Sequence, residues 1–448
     1  MNFTGHSIDK QLIKLGLPII LGQIGYIFVA FADNMMVGHY GTEELAAASF
    51  VNNLLGITFI FGLGFSYGLT PMVAKAYVLG HKKKAGRLLK DSIRVNSLVG
   101  VILVAVMMLM YMSLELFGAP EELLPLIKPY FVLQTISLFI AIVFGAFKQF
   151  FDGVGNTALS MWVLLSSNVL NIAGNWLLIY GPGCFPEWGL FGAGVSSLFA
   201  RVFTLVVLWA VFLKSKKRKE ERIGYFSRRK KHYRMALIRL GLPIGIQLGV
   251  EAASFSIAVV YVGWLGSKAL AAHQIISVVT TLGFMVYYGF GAATTIMVSN
   301  FKAENNFMAI RAVIRSGLKL SAYVAALVVL IIIFSRHYIG YLFTNDTEVC
   351  AMVALALLPV LVYQFGDVMQ IIYANALRGL EDVRFLAKAA VLVHVVIAPA
   401  VSYAFGFLLG IEDTGARLAA IWSAFPISLT ILGFMLRSRF RKLYRPDL

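Results

Sequence analysis

The chain has 448 residues, of which 59% are hydrophobic and only 14% are charged, and its mean hydropathy is +0.80. This composition lies outside the range of soluble globular proteins, so it excludes a soluble enzyme or binding domain. The formal net charge of +17 would suit a protein that binds nucleic acid. The basic residues, however, are concentrated in alternate loops between apolar segments, so we expect no nucleic-acid partner.

Twelve apolar segments follow one another along the chain. Each is roughly 20 or more residues long and can cross a hydrocarbon core about 30 Å thick as a helix. The segments lack alternation of polar and apolar residues, so helices rather than strands must satisfy the backbone hydrogen bonds in lipid. We therefore predict an all-α integral membrane protein, with transmembrane helices at approximately 13–38, 45–74, 92–114, 127–151, 158–180, 190–213, 236–262, 270–299, 316–340, 351–376, 386–410 and 415–436.

The charges between these segments predict which loops face the cytoplasm. Lysine and arginine are concentrated in alternate loops, at 81–94, 214–239, 302–319, 378–388 and 437–445. The intervening loops carry acidic residues. This is the positive-inside pattern, and it predicts that both termini are cytoplasmic. The first segment is too long for the apolar region of a signal peptide, so we expect it to remain as a membrane anchor.

The two halves of the chain repeat one sequence pattern at an offset of 225 residues. Leu12–Ile19 reads LIKLGLPI, Leu237–Ile244 reads LIRLGLPI, and Gly64-Phe65 returns as Gly289-Phe290. Six segments per half is an even number, so both halves enter the membrane from the same side and form a parallel repeat. Such repeats are typical of secondary transporters, in which substrate binds between the halves near the middle of the membrane.

The longest polar stretch falls at the junction of the repeat. We predict a first six-helix bundle at 1–213, a basic cytoplasmic linker at 214–234, and a second bundle with a short basic cytoplasmic tail at 235–448. The linker is expected to be solvated, with contact to anionic lipid as the alternative. After the fourth segment of each half, Asp152–Asn156 and Arg378–Asp382 predict a tight turn. A role of these turns in gating is the alternative.

Three carboxylates lie inside the apolar segments, where each ionisable group costs roughly 3 kcal/mol. Glu251 and Asp367 lie near the middle of the seventh and tenth segments, and Asp33 lies nearer the external end of the first. A buried carboxylate can be neutralised by a proton, a sodium ion or a cationic substrate, but not by all at once. We therefore predict that these three residues bind the coupling cation. Hydration at the membrane interface is the alternative for Asp33.

Asn171 and Asn175 lie one helical turn apart in the fifth segment and face the same way. Their carbonyl oxygens are expected to help Asp33 to hold a hard cation. The alternative is that the two side chains join helices by hydrogen bonds.

Several other side chains in the segments could have a functional role, but a purely structural role is the usual one for residues of these types. Phe284, Tyr287 and Tyr288 could line a pocket for lipophilic cations through cation–π contacts, although packing or contact with lipid is the usual role of such residues. His394, in the eleventh segment, could relay protons, or it could be a hydrogen-bonded histidine of the core.

These motifs resemble the multidrug and toxic compound extrusion (MATE) family, and in particular its NorM branch, over nearly the whole chain. The resemblance is carried by Lys14–Pro18, Ala32–Gly38, Gln364-x-x-Asp367, Ala376–Gly379 and Pro399. It implies two pseudo-symmetric six-helix bundles that export hydrophobic, usually cationic, compounds, driven by inward movement of Na⁺ or H⁺. It also implies a monomer in the bacterial inner membrane, in contact with lipid and without a bound cofactor.

The resemblance maps the membrane acids of the NorM branch onto Asp33, Glu251 and Asp367. It maps the site in the first bundle of the family onto Asp33, Asn171 and Asn175. Other branches carry aspartate at the position of Asn175, so the chain departs from their pattern there. This departure favours Glu251 and Asp367 as the principal coupling site, which would hold Na⁺ if sodium is the coupling ion.

We therefore predict a secondary active exporter, not an enzyme, that exchanges Na⁺ or H⁺ for lipophilic organic cations by alternating access. The predicted substrate-binding residues are Asp33, Asp367, Phe284, Tyr287 and Tyr288. A flippase for lipid-linked oligosaccharides of the same superfamily is the alternative, but it would need a cationic cavity. A membrane transferase would need paired acids for magnesium, and a channel would need a ring of identical filter residues. The acids alone leave the coupling ion open.

Overall fold

The computed structural model describes residues 5–117, 119–183, 186–227 and 233–443, and these residues form helices without any strand. Within them, fifteen α-helices follow one another: α1 (Gly5–Tyr40), α2 (Thr42–Ser66), α3 (Leu69–Val78), α4 (Lys82–Met112), α5 (Leu124–Gly153), α6 (Thr157–Tyr180), α7 (Gly189–Lys214), α8 (Lys219–Phe226), α9 (Arg234–Gly263), α10 (Ser267–Ala303), α11 (Phe307–Ile339), α12 (Thr347–Gly379), α13 (Val383–Val391), α14 (Ala398–Tyr403) and α15 (Thr414–Leu443).

The predicted transmembrane helices are confirmed. Twelve helical stretches in the described part of the chain are long and apolar enough to cross a membrane, so the chain is a multi-pass membrane protein. The second of these spans consists of α2 and α3, which meet at Tyr67 and Gly68. The eleventh consists of α13, α14 and two π-helical segments, Leu392–Ile397 and Ala404–Leu408. π-Helical segments are rare and are often found at functional sites.

The helices pack into two compact units, each with its own apolar core. The amino-terminal unit is Leu21–Gly245, and the carboxyl-terminal unit combines Met1–Ile20 with Ile246–Leu448. The first and seventh spans, α1 and α9, are therefore each divided between the units. The bundles predicted from the sequence follow chain order, whereas these units follow contacts. The two divisions differ at the beginnings of α1 and α9.

The repeated LGLP motif makes an equivalent contact in each unit. In the carboxyl-terminal unit, a β-carbon placed on Gly16 would lie 3.2 Å from Phe290 Cδ1. In the amino-terminal unit, a β-carbon placed on Gly241 would lie 2.5 Å from the carbonyl oxygen of Phe65. Helices approach this closely only where a residue lacks a side chain. The repeat in the sequence is therefore also a repeat of packing contacts.

Part of the basic linker is folded against the amino-terminal unit. Lys216–Arg218 forms a 3₁₀ turn, and α8 follows and packs on α4. Glu221 is completely buried and pairs with Arg218 at 3.2 Å. The Arg218 guanidinium lies 5.8 Å and 5.7 Å from the ring centres of Tyr77 and Phe151. The expectation of a solvated linker is therefore wrong for Arg218 and Glu221, whose ion pair and ring contacts replace water, whereas the neighbouring lysines Lys216, Lys217 and Lys219 are exposed as expected. Residues 228–232 of the linker lie outside the described residues.

The most enclosed spans are the fourth and the tenth, which contain α5 and α12. In their most apolar stretches, 72% and 61% of the residues are buried. α12 packs along α10 and α15 within the carboxyl-terminal unit. Polar side chains near the middle of α12 are therefore surrounded by protein, where an unpaired charge is costly.

Candidate functional site

The carboxyl-terminal unit brings together two of the predicted site residues, Glu251 on α9 and Asp367 on α12. Both are buried, with 8% and 1% of the residue exposed. Each lies within electrostatic range of the other. Two carboxylates this enclosed need hydrogen-bond donors or a cation, because ionised oxygens are strongly destabilised away from water.

Gln370, one turn after Asp367 on α12, joins the two carboxylates. Its Nε2 donates to Glu251 Oε1 at 2.9 Å and makes a longer contact with Asp367 Oδ1 at 3.5 Å. Asp367 Oδ2 and Gln370 Oε1 are both buried and have no hydrogen-bond partner among the described residues. Buried acceptors without donors are rare. A proton or a hard cation bound here would satisfy them.

A second carboxamide, Gln247, holds the other oxygen of Glu251. Gln247 Nε2 donates to Glu251 Oε2 at 3.3 Å, and its Oε1 accepts from Arg378 Nη2 at 2.5 Å. Arg378 Nη1 also donates to Asn375 Oδ1 at 3.3 Å. Arg378 is itself buried, with 4% exposed. A buried guanidinium is therefore two hydrogen bonds away from Glu251.

The site also contains three residues that are not predicted from the sequence, Gln247, Gln370 and Arg378. Spacing is the signal that could have found the two glutamines: Gln247 precedes Glu251 by four residues, and Gln370 follows Asp367 by three. Residues three and four apart share a face of a helix. Arg378 and Gln247 are 131 residues apart, so local spacing gives no sign of the contact between them.

The two turns predicted after the fourth span of each half are confirmed. Gly155 and Glu381 have φ angles of 80° and 62°, in the left-handed region that a tight turn uses. Lys302 pairs with Glu381 at 3.4 Å, and Arg439 pairs with Asp382 at 2.6 Å. These ion pairs join the second turn to α10 and α15. A role in gating stays a prediction.

The amino-terminal unit brings Asp33 and Asn175 together. Asn175 Nδ2 donates to Asp33 Oδ1 at 2.5 Å, whereas Asn171 Nδ2 donates to Ser197 Oγ at 3.2 Å and so joins α6 to α7. The Oδ1 atoms of both asparagines are buried and lack a partner within the described ranges. The alternative of hydrogen bonds between helices is present for both amides, and binding of a cation by their carbonyl oxygens stays a prediction.

Arg201 on α7 is a charged residue near Asp33 for which the sequence predicts no role. Its guanidinium lies 5.1 Å from the centre of the Phe59 ring and interacts electrostatically with Asp33. The charge near Asp33 is therefore partly balanced by the protein itself. An arginine inside an apolar span is the sequence signal for such a partner.

The three candidate substrate-binding aromatic residues lie on α10. Tyr287 is completely buried, and its hydroxyl donates to Gln364 Oε1 at 2.8 Å. Tyr288 is also buried, and the centres of the Phe284 and Tyr288 rings are 6.0 Å apart. Tyr287 thus has a packing and hydrogen-bonding role in this structure. Substrate binding by the three stays a prediction.

His394 lies in the π-helical segment of the eleventh span and is 2% exposed. Its Nε2 has no hydrogen-bond partner among the described residues. His273 is different, because its Nδ1 accepts from Trp422 Nε1 at 3.1 Å. His394 therefore does not match the expectation of a hydrogen-bonded core histidine at this nitrogen. Its proton-relay role stays a prediction.

In the described part of the chain, no group of three or more histidine, cysteine, aspartate or glutamate residues is placed to hold a metal ion. A sodium ion transported through the carboxyl-terminal unit would need other oxygen ligands beside Glu251 and Asp367. The amide oxygens of neighbouring side chains and water are of the right chemical type.

Comparison with known families shows the family to which the chain belongs. Residues 18–177 and 243–404 both match the family model described as MatE. The chain belongs to the MatE family. The two matches begin at residues 18 and 243, which is the 225-residue offset of the repeat, so each half of this MatE chain is recognised separately. The resemblance drawn from the sequence motifs is confirmed.

The MatE chain is also similar to full-length proteins. It is 29% identical to the Bradyrhizobium diazoefficiens protein named "Probable multidrug resistance protein NorM", over 98% of this chain and 95% of the relative. It is 27% identical to "Multidrug resistance protein NorM" of Vibrio parahaemolyticus, over 98% and 96%. Among solved structures, the eukaryotic MATE transporter AtDTX14 superposes with a TM-score of 0.86 at 18% identity, over 97% and 96% of the two chains. The last likeness shows the shared fold.

Proposed function

We propose that this MatE-family protein is a secondary active multidrug exporter that exchanges Na⁺ or H⁺ for lipophilic organic cations. The family and the relatives named multidrug resistance proteins support the substrate class. The observation that carries the coupling is the pair of buried carboxylates, Glu251 and Asp367, with Asp367 Oδ2 left without a donor from any described residue. A lipid-linked anion as substrate would not be favoured beside such a pair.

The physical basis of the coupling is competition for negative charge. Ionised carboxylates in a low-dielectric interior bind a neutralising cation strongly, because burial without one is costly. A proton, a sodium ion and a cationic drug can each supply the charge, but the bound species exclude one another. In the proposed cycle, arrival of Na⁺ or H⁺ at Glu251 and Asp367 promotes release of the drug. Alternating access then returns the site to the opposite side of the membrane.

The amino-terminal unit has a supporting role in this proposal. Asp33 is a third acid for the coupling cation or the substrate, and Asn175 donates to it at 2.5 Å. The side-chain carbonyl oxygens of Asn171 and Asn175 have no hydrogen-bond partner in the described part of the chain. Arg201 lowers the net negative charge around Asp33. The principal coupling role in this proposal belongs to Glu251 and Asp367, because that site has two carboxylates and the amino-terminal unit has one. Phe284 is partly exposed, whereas Tyr287 and Tyr288 are buried and contact the drug only if α10 rearranges to expose them.

The proposed setting is the bacterial inner membrane, with both termini in the cytoplasm and the protein acting as a monomer. The positive-inside distribution of lysine and arginine supports this orientation. Further support comes from the bacterial relatives, which match over nearly their whole length.

The test is ethidium efflux from loaded proteoliposomes under sodium and proton gradients that are imposed separately. We expect one of the two gradients to drive efflux by the wild-type protein. Glu251→Gln and Asp367→Asn remove a charge with little change of shape, so each should lower gradient-driven efflux at least tenfold while insertion and detergent stability stay normal. The gradient that drives efflux identifies the coupling ion.

Glu412→Gln is the matched control, because Glu412 is an exposed carboxylate in the loop before α15. It should transport like the wild type. Wild-type efflux by both Glu251→Gln and Asp367→Asn would contradict the proposal. Efflux that responds to neither gradient would contradict ion coupling itself.

A further inference from the structure

Gln370 is a neutral side chain that contacts both buried carboxylates of the proposed coupling site. Its amide nitrogen is 2.9 Å from Glu251 Oε1 and 3.5 Å from Asp367 Oδ1. An amide NH₂ group has two N–H donors and a partial positive charge. Gln370 therefore presents to the two carboxylates a weak form of the charge that a coupling cation would bring.

The two glutamines around Glu251 are held differently. Gln247 is fixed at both ends of its amide, since Nε2 donates to Glu251 and Oε1 accepts from Arg378. Gln370 is held only through Nε2, and its buried Oε1 has no partner in the described residues. Moving the Gln247 amide would break the hydrogen bond from Arg378 Nη2 as well as the one to Glu251. Moving the Gln370 amide breaks only the contacts with the carboxylates.

We propose that the Gln370 amide is an internal substitute for the coupling cation. This inference rests on the proposed function. While the site holds no cation, the NH₂ group bridges Glu251 and Asp367. When Na⁺ or H⁺ binds, the amide withdraws from the carboxylates and the cation takes over its interactions.

Such a substitute allows the site to release the cation after it has bound. Two buried carboxylates without any donor would hold a cation too tightly to release it, and transport requires binding that is weak enough to leave. A tethered competitor stabilises the empty state and therefore weakens the apparent affinity for the cation. The weak donor that Gln370 provides suits this role, because a cation can displace it.

The proposal predicts opposite outcomes for two substitutions. Gln370→Met keeps the length and volume but removes the donor, so the half-saturating concentration of Na⁺ or H⁺ should fall about tenfold, the effect of losing one hydrogen bond to a charged group. Maximal efflux should also slow, because release of the cation becomes harder. Gln370→Lys supplies a permanent ammonium group, so the site should behave as if it were always occupied and lose cation-driven efflux.

The experiment uses the full-length protein. The half-saturating Na⁺ or H⁺ concentration is measured from ethidium efflux in proteoliposomes, and the shift of Tm on adding Na⁺ or lowering the pH is measured in detergent. Gln149→Met is the matched control, because Gln149 is a buried glutamine of the amino-terminal unit that accepts from Thr70. The half-saturating Na⁺ or H⁺ concentration of Gln149→Met should equal the wild-type value. The side chain in Gln370→Asn is too short for its amide to bridge both acids. This variant should therefore also lower the half-saturating concentration, as Gln370→Met does.

A half-saturating concentration that is unchanged or higher in both Gln370→Met and Gln370→Asn would overturn the inference. A Gln370→Lys protein whose efflux and Tm still respond to the cation would also overturn it. These outcomes are separate from failure of the proposed function, which would appear as wild-type efflux by Glu251→Gln and Asp367→Asn.

Discussion

Asn175 donates a hydrogen bond of 2.5 Å to Asp33 and so ties α6 to the second part of α1 in the amino-terminal unit. In the carboxyl-terminal unit, Gln370 donates to Glu251 in a similar way. Both units therefore pair a membrane acid with a carboxamide. The pairs do not occupy equivalent positions of the repeat, because the 225-residue offset places Ala258 opposite Asp33 and Tyr26 opposite Glu251.

The contact between Asn175 and Asp33 predicts that their substitutions are not additive. Asn175→Leu removes the donor from Asp33, and Asp33→Asn removes the charge, so each should lower ethidium efflux severalfold. The double variant should be no worse than the more severe single variant, because both changes disrupt one interaction. Efflux from cells at matched expression measures the three variants.

Ser167→Ala is the control for this cycle, because Ser167 lies on the same helix and donates to the carbonyl oxygen of Ala200 at 2.9 Å, outside the proposed site. Its effect should add to that of Asp33→Asn. Additive effects of Asn175→Leu and Asp33→Asn would mean that the hydrogen bond has no functional role.

Arg378 should contribute to stability as well as to the site. Arg378→Leu leaves Gln247 Oε1 and Asn375 Oδ1 without this donor in a buried region, which should cost about 1–3 kcal/mol of the free energy of unfolding. The Gln247 amide also loses its fixed orientation toward Glu251, so efflux should fall. Thermal unfolding in detergent and ethidium efflux measure the two effects.

Arg384→Leu is the matched control, because Arg384 is exposed near the same end of α12. Its stability should stay within about 0.5 kcal/mol of the wild type. Equal Tm values for Arg378→Leu and Arg384→Leu would show that the buried guanidinium is dispensable.

The folded part of the linker should be a stabilising element. Glu221→Ala leaves the buried Arg218 without its ion-pair partner, which should cost roughly 3 kcal/mol. It should also expose the linker to trypsin, because α8 would separate from α4. Glu220→Ala provides the comparison, since the neighbouring Glu220 pairs with Lys82 at 3.5 Å at the surface. Such exposed pairs contribute about 0–1 kcal/mol. Identical trypsin cleavage rates for the two variants would contradict the burial of Glu221.

Asp346 predicts a pH-dependent contribution to stability outside the membrane spans. It caps the N-terminus of α12, where its Oδ1 accepts from the backbone nitrogens of Glu348 and Val349 at 2.9 and 3.3 Å. The N–H of Val349 is the main cause that lowers the pKa of Asp346, followed by the N–H of Glu348 and the charge of Lys268. The pKa of Asp346 is therefore lower in the folded protein than in the unfolded chain. The ionised cap stabilises the folded protein fully above the ordinary aspartate pKa of about 3.9. This stabilisation is lost as the pH falls through the pKa of Asp346 in the folded protein.

Asp346→Ala should therefore lower Tm at neutral pH, and the difference from the wild type should narrow as the pH falls below about 3.9. Thermal unfolding in detergent across this pH range measures it. A difference that stays constant at all pH values would indicate a role other than that of the ionised cap.

The sequence was sufficient for the features that depend on local composition. The length and apolar character of each segment predict twelve membrane helices, because the hydrocarbon core imposes a minimum length on each. The cost of a charge in lipid singles out Glu251, Asp367 and Asp33 as residues that need a functional or structural partner. The LGLP repeat at a fixed offset predicts two related halves, and the family match at residues 18 and 243 agrees with it.

Only the tertiary structure decided which residues meet. Gln247 and Gln370 are neutral, so no insertion cost marks them in the sequence, and the contact between Gln370 and Glu251 joins residues 119 positions apart. The beginning of α1 belongs to the carboxyl-terminal unit and the beginning of α9 to the amino-terminal unit, which chain order does not predict. The reason is that Gly16 and Gly241 pack closely against helices that are distant in the sequence. Hydrophobicity and charge act on each segment by itself and can be read from the sequence. Hydrogen bonds between helices depend on distances that exist only once the helices have packed.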